Sequence, residues 1–599
     1  MSASRVEVRR GTYHDSVTLM QVSRQAEGLP GVEAAAVVAA TPVNLELLAR
    51  QGFAVDAGGL GPSDLVVCVR AADDATADRA LQQVAELLAG VGRGGGAGAG
   101  GGPVAAEPRS LRAAVRRDPD LRLAVLSVPG RHLHYEIAEA LQAGLHVFCF
   151  SDGLDPATEA ACKRIAAERD LLLMGPDCGT AILDGVGYGF ANAVRRGPVG
   201  IVGASGTGIQ EVTCLLDAAG IGVSHAIGVG GRDLSPEVGG IMTLRALALL
   251  AADPTTERLV VISKPPDSQV ARRVAEAAAR TGKATVLAFP GMADPPPLPD
   301  GVRFAGSLEH AANWAAEGTP QPHPPASGAP TGRVAAGGIR RDRLSTAPPE
   351  VANRPPTAPA GPPPANPPPG APPAVTPGAI RGLFCGGTLC YEAMAVVSGV
   401  VGRVASNIPL RTEWRLADPH RSDGHTFVDF GDDAMTEGRA HPMIDPGLRN
   451  ERFRREAADP ETGVVLLDVV LGYGAHPDPA GELAPLVERA LADRPGRLSV
   501  VVSLCGAAGD PQGLDAQAAA LRAAGALVTR SSAQAARLAL VAAGLDRPAA
   551  PPAPARRRKP LPGGLDQMTF RPGPGPGGPG AGLGRPRPAR PDREGGGRP

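Results

Sequence analysis

Neither sign of charge is in excess in this chain: Lys and Arg total 60 against 61 Asp and Glu, a formal net charge of -1. A binder of phosphate backbones needs a basic field, so nucleic acid is not expected as a partner. Nowhere do eighteen apolar residues run together, and residues 1–10 alternate charged and apolar types without an apolar core, so neither a membrane span nor a signal peptide is expected. The eight cysteines, Cys68, Cys149, Cys162, Cys178, Cys214, Cys385, Cys390 and Cys505, include no C-x-x-C pair and no neighbouring histidine cluster. They read as reduced thiols of a cytoplasmic protein, and no metal site is expected. Aromatic residues make up only 3%, while 79 Gly and 62 Pro crowd into a few segments. With those segments set aside, the remainder is ordinary globular α/β sequence.

A chain of 599 residues exceeds what one hydrophobic core supports. Residues 1–91 alternate short β-branched runs with amphipathic stretches (6–9, 16–25, 32–38, near 45, 65–69, 77–88), which predicts a small N-terminal α/β domain. Residues 92–108 are nearly all Gly and Ala and predict a flexible linker. Between 121 and 290, apolar runs at 123–128, 145–150, 171–174, 199–202, 223–229, 259–262 and 285–289 are mostly separated by helical stretches. Parallel strands with crossovers on both faces are the economical solution. This region divides into 109–195, a CoA-binding-like domain, and 196–317, a ligase-like domain. Residues 318–377 are a Pro-rich spacer, and 378–545 repeat the α/β grammar with strands at 427–430, 464–470, 498–504 and 526–528. The Pro/Gly/Arg-rich tail, 546–599, is expected to be disordered. The expected fold class is therefore α/β, with several doubly wound, Rossmann- or flavodoxin-like parallel sheets beside the small N-terminal domain.

The sharpest local feature runs from Val199 to Glu211, where a strand feeds a turn containing Gly203, Ser205, Gly206 and Thr207 and a helix follows. Converging backbone N–H groups and the positive helix start suit a phosphate; a tight connection that needs glycine for geometry alone is the competing reading. A second copy, Gly382 to Glu392, contains Gly386, Gly387 and Thr388, and both copies place a Glu four residues after the Thr. A third strand-to-turn segment, Leu467 to Asp478, contains Gly472 and His476. Turns of this kind on different domains would let one ligand sit between opposed helix N-termini. Asp177 and Cys178 follow another strand; Cys178 reads as a nucleophile or, without a paired histidine, as a packed thiol. His14, His225, His425, His441 and His476 sit in loops, where a hydrogen-bonded structural role competes with catalysis. Arg439, His441 and Asp445 offer a cation, an imidazole and a carboxylate in one loop, which suits a small anionic substrate or a salt-bridged loop.

Ser127-Val128-Pro129-Gly130, Gly175-Pro176-Asp177-Cys178, Ser205-Gly206-Thr207 and Gly228-Val229-Gly230-Gly231 together resemble the α subunit of succinyl-CoA synthetase. In that superfamily the helix after the Ser-Gly-Thr turn points its N-terminus at a phosphate, and an opposed helix does the same. The resemblance implies the first role for Ser205, Gly206 and Thr207 and the second for Leu471-Gly472-Tyr473-Gly474. A resemblance to the FdrA family covers nearly all of the chain outside the linkers. Its marks are Tyr13-His14-Asp15-Ser16-Val17, Cys385-Gly386-Gly387-Thr388-Leu389, residues 425–432, His441-Pro442-Met443-Ile444-Asp445-Pro446 and residues 467–482. The chain departs from the synthetase at Ser263-Lys264-Pro265-Pro266, where the synthetase carries a Glu-centred loop. It departs again at Gly291-Met292-Ala293, where the synthetase carries its phosphorylated His. No segment resembles the ATP-grasp domain, and no Gly-rich CoA turn precedes Leu121.

The FdrA resemblance implies a place in bacterial purine (allantoin) catabolism, as one subunit of an oxamate carbamoyltransferase that works with two partner proteins. The reaction implied is oxalurate plus phosphate to oxamate plus carbamoyl phosphate. The ligand is then phosphate, or an acyl or carbamoyl phosphate, held by Gly203, Ser205, Gly206, Thr207, Gly386, Gly387, Thr388 and Gly472. Arg439 or His441 neutralises a carboxylate or moves a proton; Asp177, Cys178 and His476 are further site candidates. An alternative is an acyl-CoA synthetase, succinate-CoA ligase-like, that takes CoA and a nucleotide through a partner chain. A third expectation is a non-catalytic assembly subunit.

Overall fold

The computed structural model describes residues 3–545 except 13, 15, 57, 62, 92–107, 318–374 and 437–438. The expected Gly-rich linker, nearly all of the Pro-rich spacer and the whole tail lie outside the described residues, as do two positions of the Tyr13–Val17 motif.

Strands β1 (Ala3–Arg9), β2 (Val32–Ala39) and β3 (Leu65–Ala71) form an antiparallel sheet of order β1-β3-β2. All of β3 except Arg70 is buried, as a central strand covered on both faces requires. Helices Ser16–Glu27 and Asp74–Val91 cover one face through Leu19, Val22, Val84 and Leu88, and Leu48 and Phe53 cover the other.

Three parallel sheets or sheet portions follow. Strands β4 (Leu123–Leu126), β5 (His146–Cys149) and β6 (Leu173–Met174) pair in chain order. Strands β7 (Thr180–Leu183), β8 (Val186–Gly189), β9 (Arg196–Gly203), β10 (Val223–Gly228), β11 (Arg258–Ile262), β12 (Ala284–Ala288) and β13 (Val302–Ala305) form a seven-stranded sheet of order β13-β12-β11-β9-β10-β7-β8. Its first five members are mutually parallel, and the β7–β8 hairpin adds antiparallel at one edge. That hairpin lies on the N-terminal side of the expected 195/196 boundary, yet it pairs into the sheet beyond it. Strands β14 (Ala379–Phe384), β15 (Ala405–Ser406), β16 (Thr426–Asp429), β17 (Thr462–Val470), β18 (Ser499–Cys505) and β19 (Leu527–Thr529) form a fully parallel sheet of order β15-β16-β14-β17-β18-β19. Every residue of β17 is buried. The expected α/β architecture of doubly wound sheets is the one observed; among the expected strands, β7, β8, β13 and β15 had no counterpart.

One hydrophobic core joins the last two sheets. Ile209, Val212 and Leu216 of helix Gly206–Ala218 pack in it with Leu389, Ala393 and Val397 of helix Gly387–Val401. Leu308 and Ala311 of helix Leu308–Ala316 and Ala535, Ala536 and Ala539 of helix Ser532–Ala542 complete the layer. Each large aliphatic side chain buried there contributes about 1.5–3 kcal/mol. This shared core holds the carboxyl ends of β9 and β14 against each other, and strand ends of this kind are where open α/β sheets place their ligands. Among the described residues no helix is long and apolar enough to cross a membrane.

Candidate functional site

Strands β9 and β14 each end in a glycine-bearing turn that opens a helix, and the two turns meet. Ser205 caps helix Gly206–Ala218: its Oγ accepts from the Gly208 N–H at 2.9 Å and donates to Thr388 Oγ1 at 2.6 Å. Thr388 is the second residue of helix Gly387–Val401. A β-carbon on Gly386 would stand 2.8 Å from the Thr207 side chain, so the two turns are already at contact distance. Two helix N-termini from different halves therefore face one point, and their fields add to roughly one positive charge. The Thr388 hydroxyl, accepting from Ser205, keeps its own hydrogen to donate.

This point lies on the wall of a cavity of about 620 Å³. The wall is assembled from the carboxyl ends of parallel strands in three sheets: Ser127 beyond β4, Phe150 and Asp152 beyond β5, Asp177 beyond β6, Lys264 beyond β11 and Asp429 at the end of β16. No two of these groups are close in sequence except Phe150 and Asp152. Gly206, Thr207, Gly387, Thr388, Arg439 and His441 line the same cavity.

The wall carries charges of both signs. Lys264 and the two helix starts make one side attractive to an anion; a β-carbon on Gly387 would sit 3.0 Å from Lys264 Nζ. The same wall carries Asp152, Asp177 and Asp433, with the Arg232 guanidinium held by Asp152 at 3.2 Å and Glu159 at 3.0 Å. Burial, then Asp152 and Asp433, push the Asp177 carboxyl up to about 7. Burial and the neighbouring Asp152 push Asp433 up to about 6. Asp429 is held up to about 7, burial outweighing Lys264 and the Gly431 N–H. These carboxyls are thus partly protonated near neutral pH and can donate as well as accept hydrogen bonds.

His441 stacks at 5.4 Å on Phe190, and its Nδ1 accepts from the Met443 N–H at 3.2 Å. Burial lowers it to about 4. With Nδ1 occupied as an acceptor, the proton of the neutral ring sits on Nε2, so His441 offers a hydrogen bond rather than a nucleophilic lone pair. His225, His425 and His476 likewise accept a backbone N–H at Nδ1, from Asp184, Ile380 and Asp478, but none of the three lines the cavity.

Several expected site residues fall elsewhere. Gly203 lies against the Ile209 side chain, which a β-carbon would approach to 2.5 Å, so its glycine serves packing. The Gly386 N–H is taken by Asp468 at 2.8 Å and is not available to a ligand. Gly472 has φ of +117° and exchanges hydrogen bonds with Gln512, and Tyr473 N donates to Ala191 O. The expected second phosphate turn therefore packs on the neighbouring half, and the opposed helix start comes from Gly387 and Thr388. Cys178 donates to Thr180 O at 3.6 Å, and burial pushes its thiol up to about 12; it lies off the cavity and is no thiolate nucleophile. Lys264 and Asp429 had not been singled out as site residues. Each lies where a strand ends beside β9 or β14, a relation that only strand order reveals. The Gly291 loop, which replaces the phosphohistidine loop, faces Tyr391 and Leu410, both 3.3 Å from an added β-carbon.

The chain matches three family models: a CoA-ligase model over residues 383–542, a CoA binding domain over 194–291, and an AllF heavy metal-associated domain over 1–102. It is 38% identical over 532 residues to the uncharacterized protein YahF of Escherichia coli (strain K12), covering 88% of this chain and 96% of that protein. It is 28% identical over 220 residues to the mitochondrial ADP-forming succinate–CoA ligase subunit alpha-2 of Trichomonas vaginalis, covering 35% and 68%. It is 30% identical over 162 residues to the ADP-forming sulfoacetate-CoA ligase subunit SauD of Bilophila wadsworthia, covering 26% and 54%. The N-terminal domain does not fit a soft metal ion: its one cysteine, Cys68, is buried in β3, where desolvation pushes the thiol up to about 12.

Proposed function

The chain belongs to the FdrA family of the succinyl-CoA synthetase superfamily, and on that premise we propose that it is a subunit of a carbamoyltransferase that phosphorolyses oxalurate to oxamate and carbamoyl phosphate. The observation that carries this reading is the 2.6 Å Ser205–Thr388 bond, which joins two helix N-termini into one anion site. Phosphate is held there by Gly206, Thr207, Gly387 and Thr388, with Lys264 beside it. No histidine occupies the loop that would be phosphorylated in the synthetase, so transfer proceeds directly between phosphate and the acyl carbon.

The carboxyl wall supports a carbamoyl substrate. Asp152, Asp177 and Asp433 offer acceptors to an amide –NH₂. Held in one cavity, phosphate and carbamoyl carbon are brought together, which removes much of the entropic barrier. Arg439 pairs with the oxalurate carboxylate, and His441 Nε2–H donates to the carbamoyl oxygen as charge develops on it.

A second reading, an acyl-CoA synthetase that takes CoA and a nucleotide through a partner chain, is favoured by the CoA binding domain match and the ligase-subunit relatives. Co-expression with its genomic neighbours, followed by assays for carbamoyl phosphate and for CoA thioester on one sample, separates the two. Carbamoyl phosphate that requires Ser205 and Thr388 is the expected result. Thioester formation in its place sinks the transferase reading.

A further inference from the structure

Phosphorolysis expels a nitrogen that needs a proton, and neutral His441 does not supply one as an imidazolium. Asp429 is placed to do so. The residue is 3% exposed yet lines the cavity, and its backbone is fixed on both sides by Asn407, which accepts from Asp429 N and donates to Asp429 O, each at 2.9 Å. The Gly431 N–H donates to Oδ1 at 2.9 Å, so that oxygen is held as an acceptor. Oδ2 is turned toward the start of helix Gly387–Val401: a β-carbon on Gly387 would stand 2.5 Å from it. The acid oxygen thus borders the place where both helix N-termini hold phosphate.

We propose, resting on the carbamoyl-transfer reading, that Asp429 is the proton donor to the leaving nitrogen and then the acceptor of the proton brought by phosphate. A phosphate oxygen bonds to the carbamoyl carbon, and the carbon–nitrogen bond breaks with its electron pair passing to nitrogen. Asp429 Oδ2 gives that nitrogen its proton, completing the amide of oxamate. The carboxylate left behind takes the proton that the hydrogen phosphate dianion carried, and carbamoyl phosphate leaves as a dianion with the acid restored. No other reactant is needed. The groups facing Asp429 are Lys264 and the Gly431 N–H, which favour its ionised form, and Asp432 and Asp468, which oppose it, while the buried thiols of Cys385 and Cys390 stay neutral; burial outweighs the rest and holds the acid up to about 7.

The test uses the full chain co-expressed with its partner subunits, in wild-type, Asp429→Asn and Asp429→Glu forms. Carbamoyl phosphate formation is followed across pH, and sulfate, a dianion that does not titrate in this range, is the binding probe. Asp429→Asn is expected to cut turnover at least about 100-fold while sulfate binding stays within about threefold. The wild-type rate falls above pH about 7 as the acid ionises, and Asp429→Glu recovers part of the rate with that limb displaced. Turnover by Asp429→Asn within about threefold of wild type overturns the assignment and leaves the transferase reading standing. Loss of sulfate binding together with turnover also overturns it, by making Asp429 a structural support. A wild-type complex that forms CoA thioester and no carbamoyl phosphate overturns both.

Discussion

A methyl group on Gly386 would stand 2.8 Å from the Thr207 side chain, inside ordinary contact distance, and relief requires the two helix starts to separate. Gly386→Ala is therefore expected to weaken phosphate binding by at least about tenfold, or about 1.4 kcal/mol, in isothermal titration of the full chain. Gly206→Ala, whose added carbon meets Thr180 Oγ1 at 3.2 Å, serves as the milder comparison. Ser205→Ala loses both the cap to Gly208 and the bridge to Thr388; the cap alone lowers stability by about 1 kcal/mol, read as a lower urea midpoint at unchanged slope. The Ser-Gly-Thr and Gly-Gly-Thr turns were legible because strand, glycine turn and helix start are contiguous. Gly203 and Gly472 share that local grammar but owe their glycines to a close side chain and to a positive φ. Asp429 lies within the family mark 425–432 and Lys264 in the segment that stands where the synthetase has its Glu-centred loop, but their meeting on one wall depends on β11 lying beside β9 and β16 beside β14.

Helices carry the connection between the halves, and two glutamates make it reciprocal. Glu211, on helix Gly206–Ala218, accepts from the Ser532 N–H at 2.9 Å at the start of helix Ser532–Ala542 in the other half. Glu392, on helix Gly387–Val401, accepts from the Leu308 N–H at 2.6 Å at the start of helix Leu308–Ala316. Both are buried, and burial raises both carboxyls, Glu392 to about 7. A folded value above the unfolded 4.5 means that stability is present at low pH and lost as pH rises toward 7. Glu392→Gln keeps the accepting oxygen without the ionisation, so differential scanning is expected to show a higher Tm than wild type at pH 8 and little difference at pH 5. Glu392→Ala, which leaves Leu308 N–H uncapped, is expected to lower Tm at both. The Thr-x-x-x-Glu spacing was visible in both copies, but its exchange of partners needs the interface. The β7–β8 hairpin carries a local signal: Asp184-Gly185, at φ of +52° and +81°, is the two-residue turn that hairpins favour.

At the scale of the whole molecule, two largely parallel sheets share a core, and their strand ends close a cavity together with those of the β4-β5-β6 sheet. The α/β class and its repetition followed from apolar runs alternating with helical stretches; the joining of the halves did not, because both helices present apolar faces that any partner surface would satisfy. Carboxyls raised by burial around the cavity and the joined core, among them Asp177, Asp429 and Glu392, contribute stability that is lost between pH about 4 and 7. His441, lowered to about 4, acts oppositely, with stability present above 6.5 and lost below it. Tm is therefore expected to fall between pH 6 and 8, where Asp177, Asp429 and Glu392 ionise and together outweigh the single opposing imidazole of His441, whose contribution is complete by about pH 7. The central claim is that both halves hold one anion together, and titration of inorganic phosphate into the full chain tests it most directly. One phosphate per chain is expected, weakened at least about tenfold by Thr207→Val and by Thr388→Val alike. Two independent sites, or binding indifferent to either substitution, contradicts it.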